Sequence, residues 1–325
     1  MKRLLITSLI LSVLFAALVT CIALSQRRSF PDTMGTLVFE LSSPNPSASR
    51  YANKLDVDMF RPSNPLLGER FETLLDPDRA FPQRLIDDLD CSPDGKALIV
   101  SSQYLYQLDI QDKALRQITN DPHLVLALAS SPDGKRVAFT DVHGRERALY
   151  TANADGSALA ALTYSTEFAG ALAWSPDNRE IAFTVELSDG GPAQYGIALM
   201  DANVANATFR TVYKAGANLG QLSWSPDGRR IAFQMWKQGR FDIYTIQPDG
   251  SALTRLTNEN QQNANPRWSP DGSLISYSSL DASGHYQLYV MNADGSDAHL
   301  VLAVPPGEDA YNVCWLAAQT QKEIS

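Results

Sequence analysis

The stretch Trp224-Ser225-Pro226-Asp227-Gly228, followed by Ile231-Ala232-Phe233 and then by Gln247-Pro248-Asp249-Gly250-Ser251, decides how this chain folds. Proline presets φ at the first central position of a turn, aspartate can bond its own backbone, and glycine takes a positive φ at no steric cost. An Asp-Gly pair between apolar runs is a strong hairpin signal. The stretch therefore encodes a tight turn, a buried strand, a returning strand and a second turn.

Both motifs recur in phase. Ser-Pro-Asp-Gly starts at Ser92, Ser131, Ser225 and Ser269, and Ser175-Pro176-Asp177-Asn178 is a near copy. The β-rich runs that follow are Ala97–Val100, Val137–Phe139, Ile181–Phe183, Ile231–Phe233 and Leu274–Tyr277. The second motif returns as Asn153-Ala154-Asp155-Gly156-Ser157 and Asn292-Ala293-Asp294-Gly295-Ser296. Two such turns and a less regular one between them give four strands per repeat. Four-stranded units of about 40–45 residues describe propeller blades. No helical period competes after residue 30.

Five complete copies begin near residues 86, 125, 169, 219 and 263. Asn312-Val313-Cys314-Trp315-Leu316 repeats the tryptophan context without the turn. This orphan innermost strand needs partners, which the segments Gly35–Leu41, Leu55–Phe60 and Phe71–Leu75 supply. The fold class expected is all-β: a six-bladed β-propeller of four-stranded antiparallel blades. Its ring is closed by pairing the C-terminal strand with N-terminal strands, which protects edges an open array would expose.

Trp224-Ser225-Pro226-Asp227-Gly228, Ile231-Ala232-Phe233 and the Asp-Gly-Ser turns resemble the repeats of the TolB-type propellers, a six-bladed periplasmic family. The resemblance covers about residues 35–318 and is strongest in the five central repeats. It implies an extracytoplasmic propeller. The α/β domain that precedes the propeller in TolB has no counterpart between residue 30 and the first strand, so a role in a Tol–Pal-like machine is not carried over. The Gly-His and Trp-Asp signatures of the intracellular WD class are missing.

Lys2 and Arg3 precede an uncharged run from Leu4 to Ser25, and Arg27 and Arg28 close it. At helical rise, Leu4–Leu24 spans about 31 Å, enough for a bilayer core. Residues 1–30 therefore read as a membrane anchor or signal segment. Ala23-Leu24-Ser25 offers a cleavage site, and Cys21 a lipidation site. Each alternative places the body, residues 35–318, outside the cytoplasm: periplasmic or at the cell surface if anchored, secreted if the segment is cleaved. The formal net charge is −9. An acidic body is a poor counterion-release partner for phosphate, which excludes nucleic acid as an expected partner.

Gly-x-Ser-x-Gly, Cys-x-x-Cys, His-Glu-x-x-His and a phosphate loop are all absent from the sequence. The chain reads as a non-enzyme with no catalytic residues, no metal and no cofactor. The recurring aspartates read as turn caps, and Trp174, Trp224, Trp268 and Trp315 as inter-blade packing. Cys91 and Cys314 fall on neighbouring inner strands. An oxidising compartment would permit a disulfide between them, but face-to-face sheets lie about 10 Å apart and a disulfide needs Cα atoms within about 7 Å, so two buried thiols are favoured over the bond.

Loops on a rigid scaffold usually carry function. Those entering the innermost strands gather at one mouth of the channel and bring together Asp87, Asp88, His123, Glu167, Asn263, Asn265, Glu308, Asp309 and Tyr311. These acids, amides and aromatics read as a docking face for a protein or peptide partner. The alternative is a propeller enzyme or carbohydrate-binding protein that uses acids at the channel mouth.

Overall fold

A computed structural model describes residues 36–44, 53–60, 72–75, 88–101, 104–120, 125–143, 146–165, 168–187, 194–205, 207–257, 261–302, 304 and 309–316. The N-terminal apolar segment, with Cys21, lies outside the described residues.

The first strands are β1 (Thr36–Pro44), β2 (Asn53–Phe60) and β3 (Glu72–Leu75). Blade 2 is β4 (Asp88–Cys91), β5 (Ala97–Ser101), β6 (Leu105–Asp109) and β7 (Leu115–Gln117). Blade 3 is β8 (Val125–Ser130), β9 (Arg136–His143), β10 (Glu146–Asn153) and β11 (Ala160–Ser165). Blade 4 is β12 (Phe168–Trp174), β13 (Glu180–Leu187), β14 (Gln194–Asp201) and β15 (Arg210–Ala215). Blade 5 is β16 (Leu219–Trp224), β17 (Ile231–Lys237), β18 (Arg240–Ile246) and β19 (Thr254–Arg255). Blade 6 is β20 (Asn263–Trp268), β21 (Leu274–Leu280), β22 (Tyr286–Asn292) and β23 (His299–Leu302), and β24 (Asp309–Leu316) ends the chain's strands.

Five of these antiparallel sheets are continuous in sequence. A further four-stranded sheet is composite, in the order β24-β1-β2-β3, and is blade 1. Leu37 sits opposite Trp315, and Val38 opposite Cys314. The innermost strands β4, β8, β12, β16, β20 and β24 touch one another in a closed cycle. All therefore run the same way, with their starts at one end of a central channel and their ends at the other.

The motif residues have the physical roles their types suggest. Asp94, Asp133, Asp177, Asp227 and Asp271 each accept the hydroxyl of the Ser two residues earlier, at 2.6–2.7 Å. The same carboxylates take a backbone N–H two residues on. These aspartates cap turns. The serine's bond holds the carboxyls of Asp177 and Asp227 below the usual carboxylate range. Phe139, Phe183 and Phe233, closing the strand after each turn, are fully buried, each worth roughly 2–3 kcal/mol of apolar transfer.

The tryptophans lie between blades. Trp174 of blade 4 donates its indole N–H to Ala129 O of blade 3, and Trp315 of blade 1 donates to Arg267 O of blade 6. Arg136 of blade 3 stacks on Trp174, and Arg230 of blade 5 on Trp268 of blade 6, each 4.6 Å from the ring centre.

The expectation of two free thiols is corrected: Cys91 and Cys314 form a disulfide, with Cα atoms 5.7 Å apart. The 10 Å spacing belongs to sheets stacked face to face. Propeller blades fan outward from an axis, so their innermost strands approach one another far more closely than their outer strands do. The bond ties the closing strand β24 to β4, the first strand of the first continuous blade.

The glycine of the second motif answers to a close approach between blades. Gly250 has φ +86°, and a Cβ there would run into the carbonyl oxygen of Val212 in blade 4. Gly239, also in blade 5, has φ +87° with open space around it. Gly239→Ala is expected to cost about 1 kcal/mol, the left-handed backbone alone. Gly250→Ala adds the clash and is expected to cost about 2 kcal/mol in total. Thermal melts of the two variants separate these effects. Equal losses would show that the inter-blade contact yields freely.

Candidate functional site

An innermost strand pairs on one edge only, so its other edge carries N–H groups that the sheet ladder does not satisfy. Side chains of the preceding blade satisfy them. Asp88 Oδ2 accepts Leu128 N–H at 3.0 Å, and Asp90 Oδ2 accepts Ser130 N–H at 2.7 Å, joining blade 2 to blade 3. Ser223 Oγ accepts Trp268 N–H at 3.0 Å, and Gln234 Oε1 accepts Asn265 N–H at 2.7 Å, joining blade 5 to blade 6. Arg267 of blade 6 donates to Val313 O of blade 1 and to Leu222 O of blade 5.

These contacts put two carboxylates and a guanidinium in the channel. Burial pushes the Asp88 carboxyl up to about 6, against the pull of Arg267 and of the Leu128 N–H, and neighbouring Asp90 adds to the rise. Burial also raises Asp90, again opposed by Arg267 and by the Ser130 N–H. Unlike these two, the motif aspartates at the turns are solvated and hydrogen-bonded.

At the mouth where the innermost strands begin, Asp309 Oδ1 accepts Tyr286 N–H at 2.7 Å and lies 3.5 Å from His285 Nδ1. The rings of Tyr286 and Tyr311 pack 5.1 Å apart. Burial and the Asp309 carboxylate raise the Tyr286 hydroxyl. Asn263 donates to Gln261 O, and Gln261 Oε1 accepts Ser279 Oγ–H. Asn265 adopts φ +56° beside them.

Of the residues expected to form a docking face, Asp87, His123, Glu167 and Glu308 lie outside the described residues. Asn265, Asp309 and Tyr311 are partly exposed at this mouth. Asp88 and Asn263 are 3% and 2% exposed. Their expected exposure is corrected: Asp88 accepts the Leu89 and Leu128 N–H groups, and Asn263 donates to Gln261 O.

The opposite mouth, where the innermost strands end, holds a cavity of about 370 Å³. Asp90 and Arg267 lie in its wall with Ser130 and Ser223. The motif prolines, the four motif tryptophans and the disulfide complete it. The sequence carried one signal of this site. Asp90 and Arg267 stand directly before the tryptophan position, where blades 3, 4 and 5 have Ala129, Ala173 and Ser223. Among the described residues no group of three or more His, Cys, Asp or Glu side chains is placed to hold a metal ion.

Residues 217–313 match the family model described as the TolB beta propeller domain. Among solved structures, the chain is similar to TolB from Acinetobacter baumannii, at 19% identity and a TM-score of 0.68, over 88% of this chain and 67% of that one. It is similar to a putative TolB from Agrobacterium tumefaciens, at 20% identity and a TM-score of 0.63, over 86% and 98%. It is also similar to oligogalacturonate lyase from Vibrio parahaemolyticus, at 14% identity and a TM-score of 0.53, over 84% and 74%. Likeness at these identities shows the fold alone, a β-propeller.

Proposed function

Taking the chain as a TolB-type β-propeller, we propose that it is a non-enzymatic binding scaffold outside the cytoplasm, with residues 35–318 as the propeller and residues 1–30 as its membrane anchor or signal segment. It docks a protein or peptide partner over the mouth where the innermost strands begin. The observation that carries this reading is the Tyr286–Tyr311 pair with Asp309 at its edge. Aromatic rings with a polar rim, held on strands rather than on long loops, are the usual anchors of protein recognition. The Cys91–Cys314 disulfide supports an oxidising compartment. The run Leu4–Leu24 supports membrane targeting.

The test is affinity purification of the full chain from detergent-solubilised envelope, beside Tyr311→Ala and a turn-face control, Gln247→Ala. One stoichiometric partner is expected with the parent chain and with Gln247→Ala. Loss of about 2 kcal/mol at an aromatic anchor makes recovery with Tyr311→Ala fall roughly thirty-fold. Equal recovery from all three chains would refute the docking mouth, and recovery of nothing above background would refute the scaffold.

A further inference from the structure

The cavity at the other end of the channel lies apart from the docking mouth and has a chemistry of its own. Its volume of about 370 Å³ sits at the low end of the roughly 300–1,000 Å³ range of small-molecule pockets. Its lip is built from the motif prolines, which have no N–H. The serine N–H beside each is spent inside its own turn, as Ser92 on Ala97 O and Ser225 on Arg230 O. Such a lip offers an extended peptide backbone no N–H donor to pair with.

The wall carries both donors and acceptors. Trp174, Trp224 and Trp315 each spend the indole N–H on a carbonyl. Trp268 does not: among the described residues its enclosed Nε1–H has no hydrogen-bond partner, and the residue is 94% buried. The wall also carries the Arg267 guanidinium and the Asp90 carboxylate. One carboxylate, Asp90, against one guanidinium, Arg267, leaves the wall without an excess of either charge, which favours neither an anion nor a cation. Donors and acceptors side by side suit hydroxyl groups, which donate and accept at once. Trp224, partly exposed in the wall, offers an apolar surface for the C–H groups of a ring.

We infer that this cavity binds a neutral saccharide ring, its hydroxyls bridging Asp90 and Arg267, its carbon face against the indoles.

Four of the chain's five tryptophans line the cavity, so intrinsic fluorescence reports occupancy directly. The full chain in detergent is titrated with glucose, galactose, mannose, N-acetylglucosamine, galacturonate, lysine amide and prolyl-proline. A saturable fluorescence change is expected with at least one neutral sugar, at least ten-fold tighter than with galacturonate, lysine amide or prolyl-proline. Absence of a saturable response to every neutral sugar, or tighter binding of the uronate, the cation or the dipeptide, would overturn the inference. In Asp90→Asn the amide oxygen still accepts the Ser130 N–H. This variant is expected to weaken the sugar at least ten-fold, and unchanged affinity in a folded Asp90→Asn chain would also overturn it. If that variant does not fold, the ligand series on the parent chain decides alone. Because the cavity and the docking mouth lie at opposite ends, a negative titration leaves partner capture unaffected.

Discussion

Cys314→Ser is expected to lower the melting temperature by roughly 10 °C or more. The disulfide joins residues 223 apart in sequence. Closing a loop that long removes on the order of 5 kcal/mol of chain entropy from the unfolded state. For a domain of this size each kcal/mol moves the midpoint by about 2–4 °C. The location adds to the effect. The composite blade is held by β24 pairing with β1, and the disulfide fixes β24 to β4, so its loss weakens the point where the ring closes. Cys91→Ser and the double variant are expected to melt with Cys314→Ser, because all three remove one bond and effects within one interaction do not add. Additive losses in the double variant would show that the two side chains act as separate packing groups.

The second large effect is the pH dependence set by Asp88. Its carboxyl titrates near 6 in the folded chain against an ordinary value of 3.8. Between those values the folded state holds a proton that the unfolded state has lost, so stability falls as pH rises through the window and stays low above it. The difference corresponds to about 3 kcal/mol at neutral pH. Asp90, raised in the same direction, steepens the fall. The turn aspartates oppose it at the acid end. Their carboxyls, such as those of Asp177 and Asp227, are held below the ordinary value, and their contribution is lost as pH falls through their folded pKa. Maximum stability is therefore expected near pH 4–5. In Asp88→Asn the amide oxygen can still accept the Leu128 N–H while the charge is gone. Relative to the parent, this variant should gain about 2 kcal/mol between pH 4.5 and pH 7. Parallel stability curves over that range would show that Asp88 is not the group responsible.

The repeating turns made the blades legible in the sequence because each motif residue acts within its own hairpin or on the blade next to it. Asp227 caps its own turn, while Phe233 and Trp174 each pack on the neighbouring blade. Closure was legible too, since Trp315 belongs to a repeat that lacks its other strands. The features that escaped all depend on distances across the axis, which a one-dimensional period does not contain. Cys91 and Cys314 were assigned the spacing of flat stacked sheets, whereas blades converge at the channel. Asp88 and Asn263 sit at loop–strand junctions, where sequence cannot tell an exposed side chain from a buried one bonded to backbone. The cavity was missed because its lining is mostly motif residues, whose structural role hides the space between them. Asp90 and Arg267, charges in a slot otherwise filled by Ala129, Ala173 and Ser223, were the available clue.

The most direct test of the binding scaffold is site-specific photocrosslinking of the full chain in intact envelopes. A photoreactive side chain replaces Tyr311 at the docking mouth or Gln247 on the turn face. A single defined adduct from position 311, absent from position 247, is the predicted result. The same adducts from both positions, or none from position 311, would contradict it.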